Sequence, residues 1–491
     1  MCGLSPALNW RMGHGAPSLP SGWPRAVRLP ILARRRARGR PRLRHNGESR
    51  RDQSRTADRS SGHLHRISRP RRTSILATAT TTLPCGGPSP LRIVMVSLHT
   101  SPLAQAGAGD AGGLNVYVNS LSRALRAAGV CVDLVTTGDD DDHVRLLDDG
   151  RRVHQLRAGG PGGKNRLVDD VESLARRALR SLAAVDGTEV TTVHSHYWIS
   201  GLAGTLMARR LQVPLVHTMH TIGAVKQECD PAATEDHRRD AAEAAIARSA
   251  DALTANTARE RDDLVRLFGV EAEDVTSVRP GVDLSVFHPP EGEDPRLSLE
   301  GRPLRLTFAG RLQPHKGPQV AVEALGLFRR VMPDTPVELT VAGRQSGDDA
   351  LDIGRLAADH GVADLVRTTD PLPHPELASL FRDSDAVLMP SYSESFGLVA
   401  LEAMACGTPV LAHDVGGLSE LVTHRRSGRL IRSLDPAAWA EQMRWLVLHR
   451  RAWERYSTTA AVRAEEYSWA ATATASLRLY RSLSPASAFT G

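Results

Sequence analysis

Two cations stand close together in the stretch FAGRLQPHKG (308–317). Arg311 and Lys316 lie five residues apart, between a predicted strand and a predicted helix. Positive charge at a helix N-terminus favours a bound anion, so this pair could hold a diphosphate. The alternative is an ordinary basic loop. The glycine spacing does not match a P-loop.

Two carboxylates follow in PSYSESFGLVALEAMACGTPVLAHDVGG (390–417). Glu394 lies in a serine-rich turn, and Glu402 lies about two turns into the predicted helix. Carboxylates accept hydrogen bonds from neighbouring hydroxyls, so the two residues suit recognition of sugar diols. Nothing in the spacing fixes the separation that a glycosidase pair needs. The alternative is one solvated and one capping glutamate, but the surrounding glycines favour close approach of a ligand.

A glycine-rich loop, GDAGGLNVY (109–117), joins an apolar strand (91–98) to an amphipathic helix (115–129). Glycine at such a junction indicates a sharp bend or the close approach of another molecule. His99 and His220 also follow apolar strands. A lone histidine in that position is more often structural than functional.

Elements that could position these residues alternate along the chain from residue 90 onward. Apolar β-rich runs are separated by helical patterns in two sets, which predicts an α/β protein with two doubly wound, parallel-sheet domains. The predicted divisions are a disordered Arg-rich tail (1–88), an N-terminal Rossmann-like domain (89–282), a linker (283–303), a C-terminal Rossmann-like domain (304–467), and a last helix and tail (468–491) that pack back on the first domain. Ligands of such sheets bind at the carboxyl ends of the strands, so we expect the site in the cleft between the domains.

The formal net charge of +7 comes from the tail. The first 90 residues contain 18 arginines and three acidic residues, so the remainder is net acidic. Nucleic-acid binding by the folded body is therefore not expected. The tail itself is open to several interpretations: a misassigned start, a disordered extension, a transit peptide, or an arm for nucleic acid or a membrane surface. Few scattered cysteines and no membrane-spanning apolar run indicate a soluble, cytoplasmic protein.

The motifs ESFGLVALEA, ACGTPV and GRLQPHKG together resemble the retaining glycosyltransferases of family 4, which have the GT-B fold. The N-terminal motifs HTSPLAQAGAGDAGGLNVYV (99–118), HSHYWISG (194–201) and HTMHTIGAVK (217–226) are similar to the members that act on inositol 3-phosphate in the first step of mycothiol synthesis. The likeness covers nearly all of 90–485, but the segment 227–237 is poorly matched.

The resemblance implies roles for individual positions. The residues implied in catalysis are Arg311, Lys316, Glu394 and His220. Those implied in donor binding are Gln105, Ala106, Gly113, Arg311, Lys316, Leu372, Glu394 and Glu402. Those implied in acceptor binding are His99, Asp110, Ala111, Gly112, Gly113, Leu114, Asn115, Lys164, Tyr197, Thr221 and Arg239. A non-catalytic Mg²⁺ is implied near Phe381, Arg382, Ser384 and Thr408, although these are not typical hard-metal ligands.

The reaction implied by the resemblance moves N-acetylglucosamine from UDP-GlcNAc to 1D-myo-inositol 3-phosphate with retention at the anomeric carbon. It implies no cofactor for the chemistry, and a homodimer. Three alternatives stay open: a family 4 transferase with another sugar or lipid acceptor, a GT-B epimerase acting on UDP-GlcNAc, and a non-catalytic nucleotide-sugar binding protein.

Overall fold

The structure, a computed structural model, describes residues 91–107, 111–158, 163–185, 187–230, 235–292, 294–345 and 351–483. The predicted disorder of 1–88 lies outside these residues. Among the described helices, none has both the length and the apolar character that crossing a membrane requires.

The first sheet has eight strands in the order β3-β4-β2-β1-β5-β6-β7-β8. Their bounds are β1 Arg92–Ser97, β2 Cys131–Gly138, β3 His143–Leu146, β4 Arg152–Arg157, β5 Thr192–His196, β6 Leu215–Thr218, β7 Ala252–Ala255 and β8 Val275–Ser277. Every pairing is parallel except that of β3 with β4. The central strand β1 is buried along its whole length, as expected for an apolar strand covered on both faces.

The second sheet has six parallel strands in the order β11-β10-β9-β12-β13-β14. Their bounds are β9 Leu304–Ala309, β10 Val337–Ala342, β11 Val366–Thr369, β12 Ala386–Met389, β13 Val410–His413 and β14 Gly428–Ile431. The strand order reverses beside β9, which therefore borders the crevice where doubly wound sheets bind ligands.

Helices connect the strands in both domains. Those of the N-terminal half are α1 Gly113–Ala127, α2 Gly163–Asp169, α3 Val171–Ala183, α4 Trp198–Leu211, α5 Gly223–Cys229, α6 Arg239–Ser249 and α7 Ala258–Phe268. Those of the C-terminal half are α8 Pro318–Val331, α9 Ile353–Asp359, α10 His374–Asp383, α11 Leu398–Ala405, α12 Gly416–Leu421, α13 Pro436–Leu448, α14 Arg450–Ala464 and α15 Trp469–Leu483. The expectation of an α/β protein with two parallel-sheet domains is confirmed.

The β3–β4 hairpin was not predicted. Its outer strand, HVRL, is exposed at all four positions, and β4 carries arginine, histidine and glutamine among its apolar residues. A search for apolar runs passes over such an edge hairpin. Asp142, in the preceding acidic run, accepts hydrogen bonds from Arg177, so the run joins the hairpin to α3.

The chain crosses between the domains twice, and the two crossings touch. Val282 and Ser468 form an isolated parallel bridge. A methyl group on Gly281 would lie 2.2 Å from the backbone nitrogen of Trp469, so only glycine allows this approach. After the second crossing α15 packs against α1, and the Tyr480 hydroxyl lies 2.7 Å from Nδ1 of His194.

Candidate active site

The carboxyl ends of both sheets face one cavity of about 990 Å³. The loops that line it follow β1, β5, β6 and β7 in the first domain and β9, β10, β11, β12 and β13 in the second. Parallel strands present their carboxyl ends at one edge, so loops that are distant in sequence meet here.

The predicted cation pair lines the wall formed by the second domain. The Lys316 ammonium lies 2.7 Å from Oε2 of Glu394. Arg311 is partly exposed and forms no ion pair with any other described residue. Gly317 holds the turn below them with φ +78°, and a methyl group there would lie 2.1 Å from the carbonyl oxygen of Pro390. The site thus presents one neutralised and one uncompensated cation.

Glycines shape the turn that carries Glu394. The backbone N–H of Gly417 donates to the Glu394 carbonyl at 2.9 Å, and a methyl group on Gly416 would lie 2.0 Å from that same oxygen. Glu402, on α11, is buried, and its burial raises the pKa of the carboxyl to about 8. A carboxyl of this kind holds its proton at neutral pH until a ligand supplies hydrogen-bond donors.

Contacts within the described part of the protein do not require the two glycines, Gly112 and Gly113, of the DAGG loop (110–113). Gly112 has φ −160°, which any residue adopts. A methyl group on Gly112 would lie 3.7 Å from Nε of Arg311, and one on Gly113 would lie 3.5 Å from Cδ1 of Leu398, both ordinary contacts. The space beside these glycines belongs to the cavity, so a ligand is the remaining reason for them.

The side chain of Asn115 serves the loop rather than the cavity. Its Oδ1 accepts from the backbone N–H of Gly112 at 3.0 Å, and its Nδ2 donates to Thr100 Oγ1 at 3.2 Å. Asn115 is buried and does not line the cleft. In this structure its side chain holds the loop that carries the glycines, and the acceptor contact that the family likeness implies stays a prediction.

Four predicted acceptor-binding residues meet on the opposite wall. The rings of His99 and Tyr197 lie 4.5 Å apart between their centroids. The guanidinium of Arg239 stands 5.0 Å from the Tyr197 ring centroid. Its Nη2 donates to Oγ1 of Thr221 at 2.8 Å and to the Thr221 carbonyl at 2.9 Å.

Arg239 is nonetheless compensated within the protein. Its Nε donates to Glu243 at 2.6 Å, and its Nη1 donates to Glu235 at 2.7 Å. Lys226 also pairs with Glu235, at 2.6 Å. An anionic acceptor group would therefore compete with Glu235 for these cations.

Two residues beside the cleft have strained backbones. Tyr197 has φ +72° and His220 has φ +62°, although neither is glycine. His220 lines the cavity, and its Nε2 lies 3.0 Å from Nδ1 of His196. Burial, with further effects of His217 and His99, lowers the pKa of His220 to about 3.

The remaining predicted positions divide into three groups. Ala106, Leu114 and Leu372 line the cleft, and Gln105 reaches across the domains to donate to the Leu372 carbonyl at 3.0 Å. Ala111 is buried outside the cavity lining. Asp110 and the side chain of Lys164 lie outside the described part of the chain.

The Mg²⁺ hypothesis for Phe381, Arg382, Ser384 and Thr408 does not fit the structure. The guanidinium of Arg296 fills that position: its Nη1 donates to Thr408 Oγ1 at 2.7 Å, to the Ser384 carbonyl at 3.2 Å and to the Phe381 carbonyl at 3.4 Å. The Thr408 hydroxyl is itself used, since it donates to Phe381 at 2.6 Å. The oxygens that would bind a cation already hold a buried one.

Asn256 and Glu260 are among the cleft residues that sequence reasoning missed. Asn256 and Glu260 both line the cavity, and Asn256 Oδ1 and Glu260 Oε1 are buried without a partner among the described residues. Burial raises the pKa of Glu260 to about 7. The only sequence signal was the pattern Thr257-x-x-Glu260, which predicts a helix cap, and Thr257 does accept from the Glu260 backbone N–H.

Comparison with known proteins finds two matching families. Residues 112–281 match the family described as Glycosyl transferase 4-like domain, and residues 292–463 match Glycosyl transferases group 1. The chain is 40% identical over 405 residues to a D-inositol 3-phosphate glycosyltransferase of Paenarthrobacter aurescens, covering 79% of this chain and 97% of that one. It is 43% identical over 406 residues to the protein of that name from Jonesia denitrificans, covering 79% and 95%.

Solved structures confirm the expected fold. Sucrose-phosphate synthase from Thermosynechococcus elongatus superimposes with a TM-score of 0.69 at 28% identity, over 80% of this chain and 99% of that one. Anabaena HepE in complex with UDP-glucose superimposes with a TM-score of 0.63 at 17% identity, over 80% and 100%. The chain has the GT-B fold and is a glycosyltransferase.

Proposed function

Because the chain belongs to the D-inositol 3-phosphate glycosyltransferase family, we propose that it transfers N-acetylglucosamine from UDP-GlcNAc to 1D-myo-inositol 3-phosphate, with retention. This reaction would be the first step of mycothiol synthesis. The observation that carries the proposal is that one cleft is lined on one wall by Arg311, Lys316 and Glu394 and on the other by Tyr197 and Arg239.

The wall that carries Arg311, Lys316 and Glu394, here called the donor wall, is suited to the departure of UDP. In the proposed step the bond from the anomeric carbon to the UDP oxygen breaks, and a bond to an acceptor hydroxyl oxygen forms. Negative charge then grows on the diphosphate, where Arg311 has no competing ion pair in the described part of the chain. Lys316 adds a second cation and donates to Oε2 of Glu394, so that the other carboxylate oxygen can accept from sugar hydroxyls.

The acceptor hydroxyl loses its proton to the leaving phosphate oxygen. Because the acceptor oxygen itself bonds to the anomeric carbon, the step needs no covalent nucleophile. The proposal assigns no metal to the reaction. Glu402 would accept hydrogen bonds from the ribose diol of the nucleotide. These roles rest on family likeness together with the cavity that the residues share.

The opposite wall, which carries Tyr197 and Arg239 and is here called the acceptor wall, is suited to binding a phosphorylated polyol. Arg239 and Thr221 supply donors, and Tyr197 supplies a flat apolar face. The buried side chains of Asn256 and Glu260 also line the cleft and offer oxygen atoms that polyol hydroxyls can contact. A phosphate that contacts Arg239 would displace Glu235 from one of its cations.

The test is release of UDP from UDP-GlcNAc by the full chain, measured with three acceptors and without any. We expect release with 1D-myo-inositol 3-phosphate and little with unphosphorylated myo-inositol. Release with fructose 6-phosphate alone would keep the transferase but refute the acceptor. Formation of UDP-N-acetylmannosamine without an acceptor would replace the proposal with an epimerase.

We further propose a homodimer, on family likeness alone. Light scattering of the full chain should give twice the mass of 53.1 kDa. A monomer mass at assay concentration would overturn this assignment without affecting the proposed reaction.

A further inference from the structure

Two buried imidazoles meet beneath the cleft. His196 is the last residue of β5, and His220 follows the adjacent strand β6. Nδ1 of His196 lies 3.0 Å from Nε2 of His220. The solvent-exposed fraction is 0% for His196 and 8% for His220, and only His220 lines the cavity.

This pair is neutral and shares one proton. Burial lowers the pKa of His196 well below its usual value, and His194, His220 and His217 lower it further. No carboxylate hydrogen-bonds to either ring among the described residues; the rings that face them belong to His194 and Tyr117. Each neutral imidazole has one N–H and one lone pair, so one ring donates to the other.

The surroundings decide which ring donates. Nε2 of His196 is buried with no partner among the described residues, and so is the hydroxyl of Tyr117. The ring centroids of Tyr117 and His196 lie 5.9 Å apart. A buried N–H with no acceptor is rarer than an unused lone pair. The lone pair of His196 therefore belongs on Nε2, and its proton belongs on Nδ1.

The position of the proton on His196 determines the tautomer of His220, which lines the cleft. If Nδ1 of His196 donates, Nε2 of His220 accepts, and the single proton of His220 must lie on its own Nδ1. That nitrogen forms no hydrogen bond with a described residue.

We propose that His196 is a positioning residue that fixes His220 as its neutral Nδ1–H tautomer, which donates a hydrogen bond to an oxygen of the bound sugar. His220 lines the cleft, and its Nε2 lies 3.0 Å from Nδ1 of His196. The catalytic part of this inference rests on the proposed function, whereas the tautomer is a property of the free protein.

The test combines two readouts on the full chain labelled with ¹⁵N-histidine. Imidazole ¹⁵N shifts report the tautomer, and the His220→Gln spectrum assigns the signals. His196→Asn keeps an N–H donor near Nδ1, whereas His196→Leu removes it. His217→Leu is the matched control, because His217 is equally buried but bonds to Ser195 instead of His220.

We expect the Nδ1–H tautomer for His220 in the parent protein, in His196→Asn and in His217→Leu. His196→Leu should give mixed tautomers and lower kcat by roughly tenfold to a hundredfold, with a smaller change in KM. His196→Asn should restore most of kcat. His217→Leu should lose thermal stability but keep kcat.

An Nε2–H tautomer of His220 in the parent protein would overturn the proposal. So would a His196→Leu protein that keeps both the parent tautomer and kcat. If the parent shows the expected tautomer but transfers no sugar to inositol 3-phosphate, the proposed function fails and the tautomer assignment stands.

Discussion

Arg311 and Lys316 look equivalent in the sequence but have different surroundings. Lys316 is bonded to Glu394, whereas Arg311 lies beside the DAGG loop without an ion pair in the described structure. A cation that need not first leave another ion pair stabilises the negative charge developing on the diphosphate more effectively. Arg311 should therefore matter mainly for the reaction, and Lys316 for both the reaction and the position of Glu394.

Replacing Arg311 should impair catalysis without impairing folding. We expect Arg311→Gln to lower kcat/KM by about 10² to 10³, the usual cost of one transition-state donor, with little change in melting temperature. Arg344→Gln is the control, since Arg344 pairs with the exposed Asp370 outside the cavity lining. Unchanged kcat/KM in Arg311→Gln would remove this residue from the mechanism.

Glu402 should make nucleotide binding depend on pH. Its pKa of about 8 leaves it mostly protonated at pH 7, and diol donors favour the ionised form. UDP binding should therefore release a proton, and affinity should rise between pH 6 and 8. Calorimetry in buffers of different ionisation enthalpy measures the release, which Glu402→Gln should abolish. Release that persists in that variant would assign the proton to another group.

The same carboxyl affects stability in the opposite direction. Its folded pKa lies above the unfolded value of 4.5, so the folded state binds the extra proton. This group therefore lowers the free energy of unfolding as pH rises from about 4.5 to about 8.

At the scale of elements, glycines in two strand-to-helix turns serve different purposes. Gly112 and Gly113, at the start of α1, have room for a methyl group within the described protein, whereas Gly317 before α8 does not. Gly317 is required by the backbone, while Gly113 leaves space in the cleft.

These two glycines give a matched pair of variants. Gly113→Ala should fold with a melting temperature close to the parent but bind UDP-GlcNAc at least about tenfold more weakly, because the methyl group enters the ligand space. Gly317→Ala should lose stability, since it combines φ +78° with a clash at 2.1 Å. Parent-like donor affinity in Gly113→Ala would contradict the role given to this loop.

The segment between the domains is anchored by Arg296 rather than by a metal. A buried guanidinium that bonds to Asp294 and to four oxygens of the second domain fixes the start of that domain. Its removal would leave those oxygens buried and unpartnered, which is costly.

Arg296→Met should therefore lower the free energy of unfolding by about 3 to 5 kcal/mol, the range for breaking a buried charged network. EDTA or added Mg²⁺ should leave the melting temperature of the parent unchanged. Arg355→Met, at an exposed site, should change stability by less than about 0.5 kcal/mol. A clear Mg²⁺-dependent rise in melting temperature would restore the metal hypothesis.

At the scale of the whole molecule, two kinds of contact hold the domains together. At the chain crossing, Gly281 contacts Trp469. Between the domains, the Glu420 carboxylate accepts from the backbone N–H groups of Ala258, at 3.1 Å, and Arg259, at 2.8 Å. A carboxylate from one domain thus caps helix α7 of the other, which favours the closed cleft.

Glu420→Ala should shift the protein toward an open form. The lost contacts are solvent-exposed. We therefore expect the closed form to lose about 1 kcal/mol relative to the open form, and kcat/KM to fall roughly fivefold. Small-angle scattering without ligands should give a larger radius of gyration, and Glu441→Ala, on the surface of α13, should give neither change. An unchanged radius and rate in Glu420→Ala would show that this contact does not control closure.

The sequence predicts the alternating elements and the cleft, because apolar runs and strand-end loops are local patterns. The GT-B class follows from the motifs that resemble the family. It does not predict the partners of Arg239, since Glu235 and Glu243 look like surface residues of a helical segment. The meeting of His196 with His220 depends on the register of β5 beside β6, and the burial of Arg296 on packing across a linker. Such contacts need the three-dimensional arrangement.

The most direct test of the central claim is the structure of the product formed by the full chain from UDP-GlcNAc and 1D-myo-inositol 3-phosphate. We predict an N-acetylglucosaminyl inositol phosphate whose anomeric proton shows the α configuration of the donor by NMR, with one UDP released per product. A β-linked product would contradict retention. UDP release without any inositol-linked product would contradict the claim that both substrates share this cleft.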